Sequence, residues 1–347
     1  MSEKLDLIAP LLAKLNGSSV PADLGESVKA RLTQLSSLTE SPTFLPELDR
    51  MNRYVDWITS LPWNKKTDDI LDLTHAKEAF EKNHYGLNEL KERMYEYMSV
   101  LKLKGQSGGN IARAPILCFV GLVGTGKTTF AKSIAEALGR KFARIPFGGM
   151  GDPLDLRGRS KVHAEAEPGK IIKALRTADC RNPVILLDEI DRVTDEGRAS
   201  IMGVLVELLD PEQNHAFVDH YIDYPIDLSE ALFVATANNT TNIATAVMDR
   251  LEPLSMPSYN DEEKITIGKK YMLPKSLKEV GISEDVITID DEVWGDIVRP
   301  LGFDGGIRTL GRNIDGMVRK VARMIVEGKG DKFQINRGNV KDYLPQW

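Results

Sequence analysis

One stretch constrains this chain more than any other: Gly121-Leu-Val-Gly-Thr-Gly-Lys-Thr128. It follows an apolar run, Pro115-Ile-Leu-Cys-Phe-Val120, and opens a helix-like segment, Thr129-Phe-Ala-Lys-Ser-Ile-Ala-Glu-Ala-Leu138, closed by Gly139. The order is strand, glycine loop, helix. Glycines at 121, 124 and 126 let successive backbone N–H groups face one concavity, where the helix N-terminus adds positive potential for a phosphate. In such a loop Lys127 reaches the outer phosphates and Thr128 ligates Mg²⁺. The candidate nucleotide-contacting positions are therefore Gly121, Val123, Gly124, Thr125, Gly126, Lys127, Thr128 and Thr129. The plain alternative, a glycine-rich turn between strand and helix, does not account for flanks of the right type on both sides.

The rest of the chain falls into three parts around this loop. Residues 1 to about 80 read as helices: Leu5, Ile8, Leu12 and Leu15, then Leu24, Val28, Leu32, Leu35 and Leu38, recur at helical spacing, and Gly17-Ser-Ser-Val-Pro21 breaks them. A third helix carries Leu48, Met51, Val55 and Ile58 and stops at Leu61-Pro62-Trp63. From 81 to 257 an amphipathic helix with Leu90, Met94, Tyr97 and Leu101 leads through a flexible linker, Lys104 to Asn110, into alternating strands and helices. Strands are expected at 115–120, 141–146, 183–187, 232–236 and about 252–256, which predicts an α/β fold with a largely parallel sheet. After Pro257 the pattern turns helical, most clearly at Ile307, Leu310, Ile314, Met317, Val321 and Ile325, ended by Gly328, with a short extended segment near Phe333-Gln-Ile335. This predicts a small all-α domain over 258–347.

Two carboxylates end the apolar run Val184-Ile-Leu-Leu-Asp-Glu189. Beside the glycine loop, Asp188 would hold Mg²⁺ through water and Glu189 would polarise the attacking water for an in-line displacement. Asn238, after Ala235-Thr-Ala237, emerges at the same sheet edge, where an amide positions water or the γ-phosphate; the alternative is an Asx turn. Arg250 and Arg308 are each either a surface ion-pair partner or a cation aimed at a γ-phosphate, and one supplied by a neighbouring subunit ties catalysis to assembly.

Composition narrows the setting. With 45 basic against 51 acidic residues the net charge is −6, so nothing global points to nucleic acid. No apolar run approaches a membrane span, and the N-terminus lacks a secretion signal, so a soluble cytoplasmic protein without a membrane partner is expected. Cys118 and Cys180 suit a reducing compartment and neither a disulfide framework nor a zinc site.

With these pieces in order the chain resembles the ATPase module of the Lon family within the AAA+ proteins. Beyond the glycine loop, the likeness rests on Tyr54-Val-Asp-Trp-Ile-Thr-Ser-Leu-Pro-Trp63, His84-Tyr-Gly-Leu87, Phe142-Ala-Arg-Ile-Pro-Phe-Gly-Gly149 and Leu187-Asp-Glu-Ile-Asp191. It rests also on Leu209-Asp-Pro-Glu-Gln-Asn-His215, Asp219-His-Tyr221 and Phe233-Val-Ala-Thr-Ala-Asn238. The resemblance implies an AAA+ P-loop NTPase core, a helical lid and a hexameric ring that hydrolyses ATP to ADP with Mg²⁺ and acts on protein substrates. It assigns His84 and Tyr85 to an adenine pocket, Asn238 to the first sensor, Arg250 to the finger offered to the neighbour's ATP, and Arg308 to the lid's sensor. Two other readings stay open: the ATPase part of an ATP-dependent serine protease, and a nucleotide-gated regulatory subunit that moves no substrate.

Three departures stand out. The family's peptidase domain is expected where this chain stops, at Tyr343-Leu-Pro-Gln-Trp347, so no peptide-bond cleavage is expected from these residues alone. Leu122-Val123 replace two prolines of the usual phosphate loop. In the expected pore loop, Lys161-Val-His-Ala-Glu-Ala-Glu-Pro168, His163 and Ala164 stand where the family has an aromatic and an aliphatic residue. Glu165 and Glu167 follow, with Arg157, Arg159 and Lys161 expected to offset them in part.

Overall fold

The computed structural model describes residues 7–106, 115–163, 165–299 and 305–344. Its centre is a five-stranded parallel sheet built from β1 (Ile116–Val120), β2 (Phe142–Pro146), β3 (Val184–Asp188), β6 (Leu232–Ala237) and β7 (Leu251–Ser255), in the order β2-β3-β6-β1-β7. Two further strands, β4 (Phe217–Val218) and β5 (Pro225–Ile226), form a short antiparallel ribbon absent from the expected pattern. These strands have two residues each, too short for an alternation to show in the sequence.

Alternating residues of the sheet strands feed two cores. Cys118, Ile185, Leu187, Phe233 and Ala235 join one cluster with helices Ala9–Asn16, Ala22–Ser36, Phe44–Ser60, Lys170–Ala178 and Arg198–Leu208. Leu117, Phe119, Val184, Leu186 and Val234 face the opposite side, packing on helices Leu73–Asn83, Asn88–Gln106 and Lys127–Leu138. Because both faces are covered, β3 is buried along all 5 of its residues, and its continuous apolar run is the sign of that double burial. Burying each Leu or Ile side chain of this kind contributes roughly 1.5–3 kcal/mol.

At the N-terminal helices Val28, Leu32 and Leu35 are buried as the stripe predicts, but Leu38 is exposed because its helix has ended at Ser36. Leu5 lies outside the described residues, as do residues 107–110 of the expected linker, whereas Lys104 to Gln106 finish a helix.

The C-terminal part has its own core around Trp294, Leu310, Ile314, Met317 and Val321. Its main helix, Arg308–Val326, matches the predicted stripe. This part is not helical alone: β8 (Ile287–Ile289) pairs in parallel with β9 (Phe333–Ile335), so the extended segment foreseen near 333–335 has a partner 46 residues upstream in register. Cys118 and Cys180 are buried free thiols, and no described helix is long and apolar enough to cross a membrane.

Candidate functional site

The glycine loop sits at the C-terminal edge of β1, where the parallel strands direct their following loops to one side. Gly124 and Gly126 have φ of 85° and 98°, a region closed to most side chains, and they turn the backbone into the concavity. Gly121 serves differently. A Cβ there would stand 2.4 Å from the carbonyl oxygen of Met256, so this glycine allows close approach of the chain after β7.

Lys127 is buried, and its ammonium donates to Gly121 O at 2.6 Å, Leu122 O at 2.9 Å and Asn238 Oδ1 at 3.1 Å. Burial pulls its pKa below the ordinary value, against the upward pull of the Asp191, Glu189 and Asp188 carboxylates. Thr125 and Thr129 brace the loop, donating to Leu122 O and Gly126 O. Thr128 Oγ1 lies 3.4 Å from Asp188 Oδ1.

Asp188 is the last residue of β3, and its neighbour Glu189 adopts a left-handed conformation at φ 58° and ψ 50°. For a non-glycine residue this backbone is strained, and it turns the chain sharply as it leaves the sheet. The Glu189 amide N–H donates to Thr236 Oγ1 at 2.8 Å, and its Oε2 lies 3.5 Å from Arg192 Nη1. Asn238 presents a buried Nδ2 without a partner; with Oδ1 taken by Lys127, its donor remains for another group.

The lid reaches the same place through its backbone. Ile307 N donates to Gly124 O at 3.0 Å, which sets Arg308 over the loop. Gly306 permits this contact, since a Cβ there would stand 2.5 Å from Val123 O. Leu122 and Val123, which replace the two prolines usual in the family, are exposed and lie against this glycine segment of the lid. The result is a cavity of about 200 Å³ lined by Val123, Gly124, Gly126, Lys127, Thr128, Thr129, Asp188, Glu189 and Arg308.

Not every predicted residue meets this cavity. The His84 ring is buried against Phe130, at 4.9 Å between centroids, with Nε2 2.9 Å from Ser133 Oγ. Desolvation, with the Lys91 charge adding to it, pushes its pKa down to about 4, so the ring is neutral at pH 7 and braces the helix that follows the loop. Tyr85 is half-buried beside it and does not line the phosphate cavity. Arg250 also lies away from the cavity, pairing with Asp210 Oδ2 at 3.0 Å and donating to Ala246 O at 2.7 Å.

In the expected pore loop, Val162 and His163 are exposed and Ala164 lies outside the described residues. The three cations expected to offset Glu165 and Glu167 pair with other acids. Arg157 pairs with Glu207, Arg159 with Asp152 and Lys161 with Asp223, while Glu167 pairs with Lys173.

Sequence reading missed the partners that hold the acids. Thr236 and Arg144 both bond Asp188, and Asp191 is buried behind the cavity with Oδ2 3.4 Å from Asn239 N. Thr236 stands two residues before Asn238, and β6 beside β3 carries it to Asp188; knowing the strand order would have found it.

Comparison with known proteins agrees with this geometry. Residues 117–256 match the ATPase family associated with various cellular activities (AAA), and residues 278–333 match the Lon protease AAA+ ATPase lid domain. The chain is 42% identical over 337 residues to Lon protease of Lawsonia intracellularis, covering 97% of this chain and 40% of that protein. It is 40% identical over 337 residues to Lon protease of Bacillus thuringiensis, covering 97% and 41%, and 39% identical over 338 residues to Lon protease 2 of Thermus thermophilus, covering 95% and 42%. It thus spans about 40% of the length of these curated relatives. The parallel sheet, the phosphate loop and the lid that closes on it are those of the α/β AAA+ fold, and the chain belongs to the Lon family as its AAA+ ATPase module.

Proposed function

We propose that this chain binds ATP with Mg²⁺ and hydrolyses it to ADP, as the motor part of a cytoplasmic hexameric ring that works on protein substrates. The observation that carries this reading is the convergence of Lys127, Thr128, Asp188, Glu189 and Arg308 on one cavity behind a backbone cradle. The donor set fits a hard divalent cation: Thr128 Oγ1 and Asp188 Oδ1 are oxygen ligands side by side, and the unpartnered Asn238 Nδ2 is a donor for a phosphate oxygen or water. Thr128 and Asp188 would hold Mg²⁺ there, and the bound ion would supply positive charge against the negative charge that develops on the phosphates.

The chain's own groups divide the work. Lys127 and the loop amides hold the phosphates, Glu189 accepts a proton from the attacking water, and Arg308 brings the lid's charge to the phosphate end. Gly121 and Thr125 shape the loop, and Thr129 caps it. His84 and Tyr85 are read as bordering the base side, with His84 bracing the helix that follows the loop. Arg250, turned away from its own cavity, is read as the finger for a neighbouring subunit. The chain is read in three parts, with the helical region over 1–80, the nucleotide-binding core over 81–257 and the lid over 258–347.

The pore-loop departure supports one further expectation. Translocating loops grip by side-chain area, and His163 offers less of it than the family's aromatic; unfolding of tagged substrates is therefore expected to be weak relative to ATP turnover.

The test separates binding from chemistry. Glu189→Gln is expected to keep nucleotide affinity while hydrolysis falls by about 10²- to 10⁴-fold. Arg250→Ala is expected to keep affinity and lose hydrolysis by about 10³-fold, and wild-type specific activity should rise with protein concentration as subunits meet. Wild-type turnover in Glu189→Gln refutes the assigned base, and full activity of a dilute monomer refutes the finger.

A further inference from the structure

Asp188 is held from outside the phosphate loop as well as from within it. Its side chain is 5% exposed, and with Glu189 and Asp191 it is one of three carboxylates whose charges act on Lys127. Thr236 Oγ1 donates to Oδ1 at 2.5 Å. Arg144 takes the other oxygen twice, with Nε donating to Oδ2 at 2.7 Å and Nη2 2.6 Å from the same atom. Two guanidinium N–H groups on one oxygen occupy its lone pairs and oppose rotation of the carboxylate.

The consequence lies on the other oxygen. With Oδ2 turned to Arg144, Oδ1 is the oxygen left facing Thr128. The arginine comes from the neighbouring strand: β2 pairs with β3 so that Pro146 stands beside Asp188, and Arg144 reaches across from two residues earlier. Lys127 does not do this work, since its ammonium is spent on Gly121 O, Leu122 O and Asn238 Oδ1. The motif around Arg144, Phe142-Ala-Arg-Ile-Pro-Phe-Gly-Gly149, is otherwise without a role in the nucleotide chemistry.

We propose that Arg144 is a positioning residue for the metal-binding acid: it turns Asp188 so that Oδ1 and the Thr128 hydroxyl are set side by side before a divalent cation arrives. This rests on the reading of the cavity as a metal–nucleotide site. Outer partners of this kind commonly decide about 10- to 100-fold in metal affinity, because a ligand that must be reoriented on binding loses its preorganisation.

The experiment uses the whole chain with a fluorescent ADP analogue and Mn²⁺, whose free fraction is counted by electron paramagnetic resonance. Arg144→Met is expected to bind the analogue in EDTA within about twofold of wild type, while Mn²⁺ affinity of the nucleotide-loaded protein drops by about tenfold or more. Arg144→Lys should recover part of that loss, since it restores the charge without the two-pronged contact. Mn²⁺ affinity in Arg144→Met equal to or tighter than wild type overturns the inference. Should Arg144→Met lose the cooperative thermal transition of the wild type, Arg144→Gln is measured in its place and judged by the same two outcomes. A wild-type chain whose nucleotide binding ignores Mn²⁺ refutes the reading of the cavity instead, so the two failures are distinguishable.

Discussion

Two loops leave the same edge of the sheet, one after β1 and one beyond β2, and they are held with different emphasis. The phosphate loop is held through its own backbone groups: Gly121 N donates to Ala237 O, Ile307 N to Gly124 O, and the Lys127 and Thr125 side chains donate to its carbonyls. The segment 157–168 relies more on side chains, through Arg157–Glu207, Arg159–Asp152, Lys161–Asp223 and Lys173–Glu167, beside backbone bonds such as Arg159 N to Glu167 O at 3.2 Å. Arg157–Glu207 is part-buried, but the pairs of Arg159 and Lys173 are exposed, and such pairs contribute about 0–1 kcal/mol each, so the far part of the segment is cheap to move. Its base is not. Asp219, fully buried, accepts from Gly169 N at 2.7 Å, Tyr221 N at 2.8 Å and Ile222 N at 3.1 Å, and His220 N donates to Arg157 O. The difference teaches where substitution is tolerated. A backbone cradle survives the exchange of prolines for Leu122-Val123, because no ligand is a side chain there, whereas a side-chain-held tip changes its chemistry with every replacement.

The largest effect that sharpens this contrast is Lys127→Ala. The cradle should persist, yet loss of a charged donor is expected to weaken ATP binding by about 10- to 100-fold, read by equilibrium titration. Affinity within twofold of wild type would mean that the amides hold the phosphates alone. Next comes Asp219→Asn at the base of the second loop. The amide keeps one acceptor for Tyr221 and Ile222 but turns a donor toward the Gly169 N–H, costing about 1–3 kcal/mol in denaturant unfolding. A change under about 0.5 kcal/mol would show that Asp219 is no clamp. The smallest concerns the tip. His163→Tyr adds aromatic area worth about 0.5–1.5 kcal/mol per contact, so ATP-driven unfolding of a tagged substrate should rise roughly two- to tenfold with ATP turnover unchanged. No gain would break the link between grip and that position.

How much of this was legible varies with the range of the interaction. All 5 strands of the main sheet lie within one residue of their expected ends at each terminus; for β1, β3 and β6 the reason is that a strand buried on both faces needs a near-continuous apolar run, whereas β2 and β7 are buried only at some of their residues. The long helix of the lid was equally plain, since Leu310, Ile314, Met317 and Val321 form one buried stripe. The β4–β5 ribbon and β8 were not, because segments of 2 or 3 residues carry too few positions for a period to register; β9 was foreseen as an extended segment, but without its partner. His84 was attached to the base pocket by likeness alone, and its burial against Phe130 and Ser133 became visible only once the helix was placed.

What the sequence determined by itself is the local chemistry: a glycine loop, a lysine and a threonine in fixed spacing, and two acids at the end of an apolar strand. Those features are contiguous, and the backbone geometry they require is settled within a few residues. What only the tertiary structure decided is which groups complete them. Arg144 meets Asp188 because β2 lies beside β3, Thr236 meets it because β6 lies on the other side, and Arg308 arrives because the backbone of Ile307 bonds to Gly124. Strand order and lid closure are set by the burial of whole faces, a quantity summed over the chain, and no short stretch of residues carries it.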